Sequence, residues 1–293
     1  MKSKVKSFYH QDTYTWTHVI SCVKTKQAII IDPVLDYNPN NANTSTQSVD
    51  TILAYINQQK LQLEYILETH AHADHLTAAV YLQEALNCKI AIGSHIKTVQ
   101  TTFKEIFNFD DSFKTDGSQF GLLLEDGDVL EFGQLSIEIM HTPGHTNDSM
   151  SFVIENDVFI GDTLFSPDYG TARCDFPGGD AGKLYDSIQN IFSLGDDKQL
   201  YLCHDYPPNN RKPQASFSVL QQKQDNIHLQ NTNKHAFVSM RNKRDASLNQ
   251  PKLIIPAIQV NIRAGHFPAA ESNGNVYLKI PINVLGKKTS AKD

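Results

Sequence analysis

Glu68-Thr69-His70-Ala71-His72-Ala73-Asp74-His75 is the stretch on which the fold turns. It directly follows a β-rich apolar run at 63–67 and directly precedes a helical pattern at 76–86, which predicts a loop between a strand and a helix. In extended backbone, side chains two positions apart point the same way, so His70 and His72 aim at one point. The turn into the helix brings Asp74 and His75 around that point. Imidazole and carboxylate without thiolate form a donor set suited to zinc or iron. A bland account, with Asp74 capping the helix beside incidental surface histidines, leaves the clustering of four such residues unexplained.

Three later signals follow in chain order, each near the end of an expected strand. In Met140-His141-Thr142-Pro143-Gly144-His145 the Pro-Gly pair forces a turn that re-aims His145 away from the sheet. Phe159-Ile160-Gly161-Asp162 runs a strand into a carboxylate able to bridge or cap a cation, and Tyr201-Leu202-Cys203-His204-Asp205 delivers an imidazole at a strand end. Each alone reads as an ordinary strand-end polar residue. Joined to the first motif they give the candidate metal ligands His70, His72, Asp74, His75, His145, Asp162 and His204, with His141 left as structural.

Working outward, strands are expected at 19–24, 28–31, 63–67, 89–92, 129–132, 135–140, 150–154, 158–160 and 199–202. Helical spacing appears at 49–56, with Thr46 and Ser48 as cap candidates, at 76–86 and at 181–194. Two more helices, 217–229 and 235–246, are expected as a C-terminal cap on the strand-rich body. The Asn-rich segment 36–47 and the tail after Gly286 read as mobile or surface segments. The expectation is one domain over 1–293, with a core at about 8–205 and C-terminal helices plus a closing segment at about 206–285.

Composition narrows the function. At 293 residues, 40% hydrophobic and 20% charged, the chain can bury a large core. A net charge of −6 with no run of basic residues argues against a nucleic-acid partner. No apolar stretch reaches the roughly 18 residues of a membrane span, and residues 1–9 lack the apolar segment of a secretion leader, so a cytoplasmic location is expected. Cys22, Cys88, Cys174 and Cys203 have no paired spacing and read as buried thiols.

The segment 70–75, the Thr-Pro-Gly-His ending at His145, the Gly-Asp at Asp162 and the histidine at 204 resemble the metallo-β-lactamase superfamily. That resemblance implies an α/β fold, an αββα sandwich with metal at one edge between two sheets. A closer resemblance is to the glyoxalase II-like branch, and within it to the persulfide dioxygenases. It rests on Gly170-Thr171-Ala172-Arg173-Cys174-Asp175-Phe176, His204-Asp205-Tyr206, Leu248-Asn249-Gln250-Pro251-Lys252 and Asn261-Ile262-Arg263-Ala264-Gly265, and so covers about 15–266. The chain departs from the pattern in the longer 36–47 loop, an enlarged region at 108–121 and an extension beyond His266.

The resemblance implies one Fe(II) per chain held by His70, His145 and Asp162, with His72, Asp74, His75 and His204 orienting ligands and water. Two imidazoles and one carboxylate take one face of an octahedron and leave positions for reactants. The implied activity is oxidation of glutathione persulfide by dioxygen to sulfite and glutathione. Because glutathione carries two carboxylates, Arg173 and Arg263 are the candidate substrate cations, with Tyr206 beside them. The alternative is a glyoxalase II-like thioester hydrolase, a hydroxyacylglutathione hydrolase, with two Zn(II) held by the full ligand set. A non-catalytic persulfide or metal sensor and an RNA-cleaving relative are the remaining readings. The retained ligand set weighs against the sensor, and the acidic charge balance against the RNA enzyme. A homodimer is a possible assembly.

Overall fold

Strand β3 (Gln27–Ile31) is apolar on both faces, so it must lie between two layers. In the computed structural model, which describes residues 2–208 and 211–285, it does. Alternate side chains leave opposite faces of a strand. Ile29 and Ile31 meet the second sheet, while Ala28 and Ile30 meet helices. The first sheet has the order β1 (Ser3–His10), β2 (Thr15–Cys22), β3, β6 (Gln62–Leu67), β8 (Lys89–Gly93), β9 (Leu122–Leu124). The second runs β10 (Val129–Phe132), β11 (Leu135–His141), β12 (Met150–Ile154), β13 (Asp157–Phe159), β14 (Gln199–Tyr201), β15 (Ser216–Ser218). Between them Ile20, Leu67 and Leu124 pack against Phe132, Ile137, Phe152 and Phe159. Truncating any one of these to Ala removes about 2–5 kcal/mol.

The outer faces are covered by helices, which completes the αββα order. On the first sheet lie α1 (Gln47–Gln59), α2 (Ala79–Leu86) and α3 (Ile96–Phe107), through Val49, Ile56, Leu82, Val99 and Phe103. On the second lies α4 (Ala181–Phe192), through Leu184, Ile188 and Ile191. The C-terminal helices divide between the two outer layers. Phe237 of α6 (Lys234–Asp245) joins the α4 layer, beside Val219 of the short α5 (Val219–Asp225). Ile254 and Ile258 of α7 (Ile254–Asn261) join the layer of α1–α3. Helices α3 and α7 and strand β1 were not among the expected elements. The region 217–229 opens with strand β15, and its helix ends at Asp225.

The 36–47 segment is an ordered hairpin. Strands β4 (Val34–Asn38) and β5 (Asn43–Ser45) pair across it, and β4 also pairs with β7 (Leu76–Thr77). Its Asp36 carboxylate accepts the Ser48 N–H at 2.8 Å and lies 3.1 Å from His10 Nε2. That corrects the cap assignment for α1: neither Thr46 nor Ser48 caps with its own side chain, and the acceptor at the helix N-terminus comes from the hairpin. All four cysteines are buried and free. The tail after Gly286 lies outside the described residues.

Candidate metal centre

The ligand segment leaves β6 and reaches α2 without regular structure, so its conformation is set by side chains from elsewhere. Asp32, at the end of β3, accepts the Thr69 N–H at 2.8 Å and the Thr69 hydroxyl at 2.9 Å. Asp148 accepts the Ala71 N–H at 2.8 Å. Both carboxylates are fully buried and neither was anticipated. Asp32 was legible in principle, because Ile29-Ile30-Ile31-Asp32 repeats the pattern of a strand running into a carboxylate seen at Asp162.

The later ligand candidates arrive by tight turns. Gly144 has φ +144°, and a Cβ there would lie 2.3 Å from the Leu184 backbone, so only glycine lets the turn to His145 sit on α4. Gly161 has φ +51°, and a Cβ would lie 2.9 Å from the Thr69 side chain. Asp162 is thereby delivered beside the ligand segment. His204 follows β14 and bridges to Thr15 at the start of β2, its Nδ1 being 3.3 Å from the Thr15 hydroxyl.

All the candidate ligands converge at one end of the sandwich. His70, His145 and Asp162 form one buried group whose donor atoms lie within 4.8 Å of each other; His72, Asp74, His75 and His204 form a second. Asp162 touches both. Its Oδ2 is 3.6 Å from His145 Nε2 and 4.0 Å from His70 Nε2, while its Oδ1 is 3.5 Å from His204 Nε2. His141 is elsewhere, stacked on His95 with ring centroids 4.2 Å apart.

The hydrogen bonds fix which ring nitrogens carry lone pairs. The Thr69 hydroxyl gives its hydrogen to Asp32, so it accepts from His70 Nδ1–H at 3.0 Å and leaves Nε2 bare. His145 Nδ1–H donates to the Arg173 carbonyl at 2.8 Å, again freeing Nε2. His72 Nε2–H donates to Asp32 at 3.0 Å and leaves Nδ1 without a partner. Among the described residues, His72 Nδ1, both nitrogens of His75, Asp162 Oδ1 and His204 Nε2 are buried with no hydrogen-bond partner. Orphaned buried polar atoms are rare, because each costs about 1–3 kcal/mol. Their convergence is what a cation-binding centre requires, and the donor set fits iron or zinc.

Protonation tendencies separate the groups. Burial and the neighbouring imidazoles hold His70 well below the usual histidine range. Burial and His72 bring His75 down to about 4. For His72 burial opposes the charged form, but Asp32 and Glu68 outweigh it and push the group well above its ordinary value. Burial raises Asp162, while the imidazoles of His204 and His75 outweigh burial and lower Asp74.

A cleft of about 1280 Å³ opens onto the centre. Its lining includes Asp74, His145, Asp162, Phe165, Tyr169 and Tyr206, residues of the 36–47 hairpin, and Arg173, Arg244, Leu248 and Lys252. Tyr206 stacks on His204 with centroids 5.6 Å apart, which places it beside the ligands. The two expected arginines separate. Arg173 lines the cleft, yet its guanidinium is clamped on Asp175 at 2.6 and 2.8 Å and on the Asn249 carbonyl at 2.6 Å. Arg263 is not a cleft residue; it lies 4.1 and 4.3 Å from the ring centres of Phe109 and Phe113 in the enlarged 108–121 region. The cations that line the cleft with no ion pair among the described residues are Arg244 and Lys252, both exposed.

Comparison with known proteins agrees with this architecture. "Glyoxylase B2" of Dictyostelium discoideum is 46% identical over 287 residues, covering 97% of this chain and 98% of that protein. Human "Persulfide dioxygenase ETHE1, mitochondrial" is 30% identical over 206 residues, covering 69% of this chain and 68% of that protein. The crystal structure of ETHE1 from Myxococcus xanthus superposes with a TM-score of 0.71 at 29% identity, covering 90% of this chain and all of that one. Residues 12–204, which carry every candidate ligand, match the family profile, and the chain belongs to the metallo-beta-lactamase superfamily.

Proposed function

We propose that the protein is an iron-dependent persulfide dioxygenase that oxidises glutathione persulfide to glutathione and sulfite. The observation that carries this reading is the group His70, His145 and Asp162: two imidazoles with bare Nε2 atoms and one carboxylate, facing a common point beside an open cleft. The likeness to persulfide dioxygenase relatives across most of the chain supports it. His70, His145 and Asp162 would hold a ferrous ion, which would supply the redox chemistry that a singlet persulfide and triplet dioxygen require. The net reaction consumes one persulfide, one dioxygen and one water, and releases thiol, sulfite and two protons.

The residues of the chain supply the rest. Thr69 and the Arg173 carbonyl keep the ligating nitrogens unprotonated. Arg244 and Lys252 are placed to receive the carboxylates of glutathione, in the role expected of Arg173 and Arg263. Tyr169, Phe165 and Tyr206, packed ring on ring, give the cleft an aromatic surface beside the ligands on which the persulfide can rest. The second group favours a second reading, a two-metal thioester hydrolase, because His72, Asp74, His75 and His204 also converge.

Anaerobic purification followed by metal analysis and oxygen-electrode assay separates the two. The expected result is one iron per chain and dioxygen uptake with sulfite release on adding glutathione persulfide. Two zincs per chain, with oxygen-independent cleavage of S-lactoylglutathione and no oxygen uptake by the iron form, would replace the dioxygenase with the hydrolase.

A further inference from the structure

The segment Asn261-Ile262-Arg263-Ala264-Gly265 was expected to serve the site through its arginine, which instead lies between two phenylalanines away from the cleft. Its first residue reaches the ligand segment directly. The Asn261 carboxamide, 4% exposed at the end of α7, donates through Nδ2 to the carbonyls of His72 and His75, both at 2.8 Å. Its Oδ1 accepts the Thr77 N–H at 2.9 Å. One planar group thus satisfies two carbonyls of the irregular, buried ligand segment and the N–H of Thr77, where that segment runs into β7.

We propose that Asn261 is a positioning residue that fixes the second half of the ligand segment, and through it the placement of His72, Asp74 and His75. This rests on the reading of that segment as metal-binding. The first half is held separately, by Asp32 at Thr69 and by Asp148 at Ala71. Beyond Ala71, Asn261 ties the carbonyls on either side of Asp74, so the Asp74 backbone sits in a bracket between two pinned peptides. The approach is close along the rest of the motif: a Cβ on Gly265, at φ +97°, would lie 3.2 Å from the Thr77 side chain. Leu76 packs with Ala257 and Val260 of the same helix.

Only a carboxamide of this length offers two N–H donors and one acceptor from a single plane. Aspartate keeps the shape but turns an acceptor toward two carbonyls, leaving both unpaired. Glutamine carries the group one methylene too far.

The test uses the full chain and Co(II), whose visible absorption reports ligand geometry independently of turnover. In Asn261→Asp, Co(II) is expected to bind on the order of tenfold more weakly or worse, with an altered visible spectrum, the size typical of residues that orient ligands. Arg263→Met, which loosens α7 from the 108–121 region without touching the ligand segment, is expected to lower Tm while leaving the Co(II) affinity within about twofold. Should Asn261→Asp fail to fold, hydrogen exchange in the unmodified protein decides: the Thr77 amide is expected to be protected as strongly as the α7 amides. Wild-type affinity and spectrum in folded Asn261→Asp, or a Thr77 amide exchanging as fast as an exposed loop, overturns the assignment. An unmodified protein that gives no Co(II) spectrum at all overturns the metal reading, and Asn261 as its positioning residue with it.

Discussion

The two ligand groups at the sandwich edge share Asp162 and are built from the same residue types, yet their surroundings differ. The imidazoles of the His70–His145–Asp162 group are oriented by neutral partners, a threonine hydroxyl and a peptide carbonyl. In the other group His72 is pressed between the carboxylates of Asp32 and Glu68, at 3.0 and 3.5 Å, and His204 Nε2 is 3.0 Å from Asp74. The lesson is about protons. A cation entering the first group finds a His70 lone pair already bare at neutral pH, because burial has lowered that imidazole. A cation entering the second competes at His72 Nδ1 with the proton of the imidazolium form that Asp32 and Glu68 favour from the Nε2 side.

The most severe way to break this comparison is to remove what both groups share. Asp162→Ala takes away the carboxylate of the first group, and iron content is expected to fall from roughly one per chain to near zero with dioxygen uptake at background. Full iron occupancy in that variant would show that the groups are not organised around Asp162.

A milder break asks whether the second group is subordinate. His72→Ala is expected to keep iron in the first group while lowering turnover about 10- to 100-fold, as loss of an orienting residue does. If His72→Ala empties the protein as completely as Asp162→Ala, the two groups act as one dinuclear site and the distinction drawn here is wrong.

Zinc titration separates the two groups by their protons. His72 is raised in the folded state, so below its folded value a second divalent ion competes with a proton. Zinc titrations at successive pH values are expected to show the second equivalent tightening about tenfold per pH unit until His72 loses its proton. The first equivalent, facing the lowered His70, is expected to change little above pH 6.5. A second equivalent independent of pH would remove the His72 proton from the account.

The smallest effect concerns the cleft wall. Arg244→Ala and Lys252→Ala are each expected to raise KM for glutathione persulfide roughly three- to tenfold with kcat nearly unchanged, the range for exposed charge-assisted contacts. Arg263→Ala, removed from the cleft by Phe109 and Phe113, is expected to leave KM unchanged. The reverse ranking would return the substrate role to Arg263.

Much of this centre was legible because its ligands come in short runs. His70 to His75 sit together on one loop, and each later candidate follows within four residues of a strand end, a pattern that needs no knowledge of the fold. Strands such as β3 and β12, apolar on both faces, announce an interior sheet in the same way. The supporting residues were not legible, since they act across great separations in sequence: Asn261 reaches His72 over 189 positions and Asp148 reaches Ala71 over 77. Helix α7 was hidden by Pro256, which reads as a breaker. It is tolerated because it lies in the first turn, where its missing N–H has no intrahelical carbonyl to meet. The Asn-rich hairpin was hidden by composition, because its order depends on Asp36 gripping His10 and Ser48 rather than on an apolar pattern. Arginine position was the least readable property: a guanidinium in the same short motif can serve a cleft or stack under aromatic rings, and only packing distinguishes them.

The placement of α7 in the layer of α1, α2 and α3 sets an order of events during synthesis. The first sheet is finished on the ribosome when β9 emerges, but its helical layer still lacks Ile254, Ile258 and Ile262. Those side chains leave the exit tunnel more than a hundred residues later, after the whole second sheet has been made. A nascent chain halted before α7 therefore holds an exposed apolar trough and a ligand segment whose His72 and His75 carbonyls have no partner. The second half of the ligand segment therefore takes its final form only once α7 has docked, whereas Thr69 and Ala71 are already held by Asp32 and Asp148.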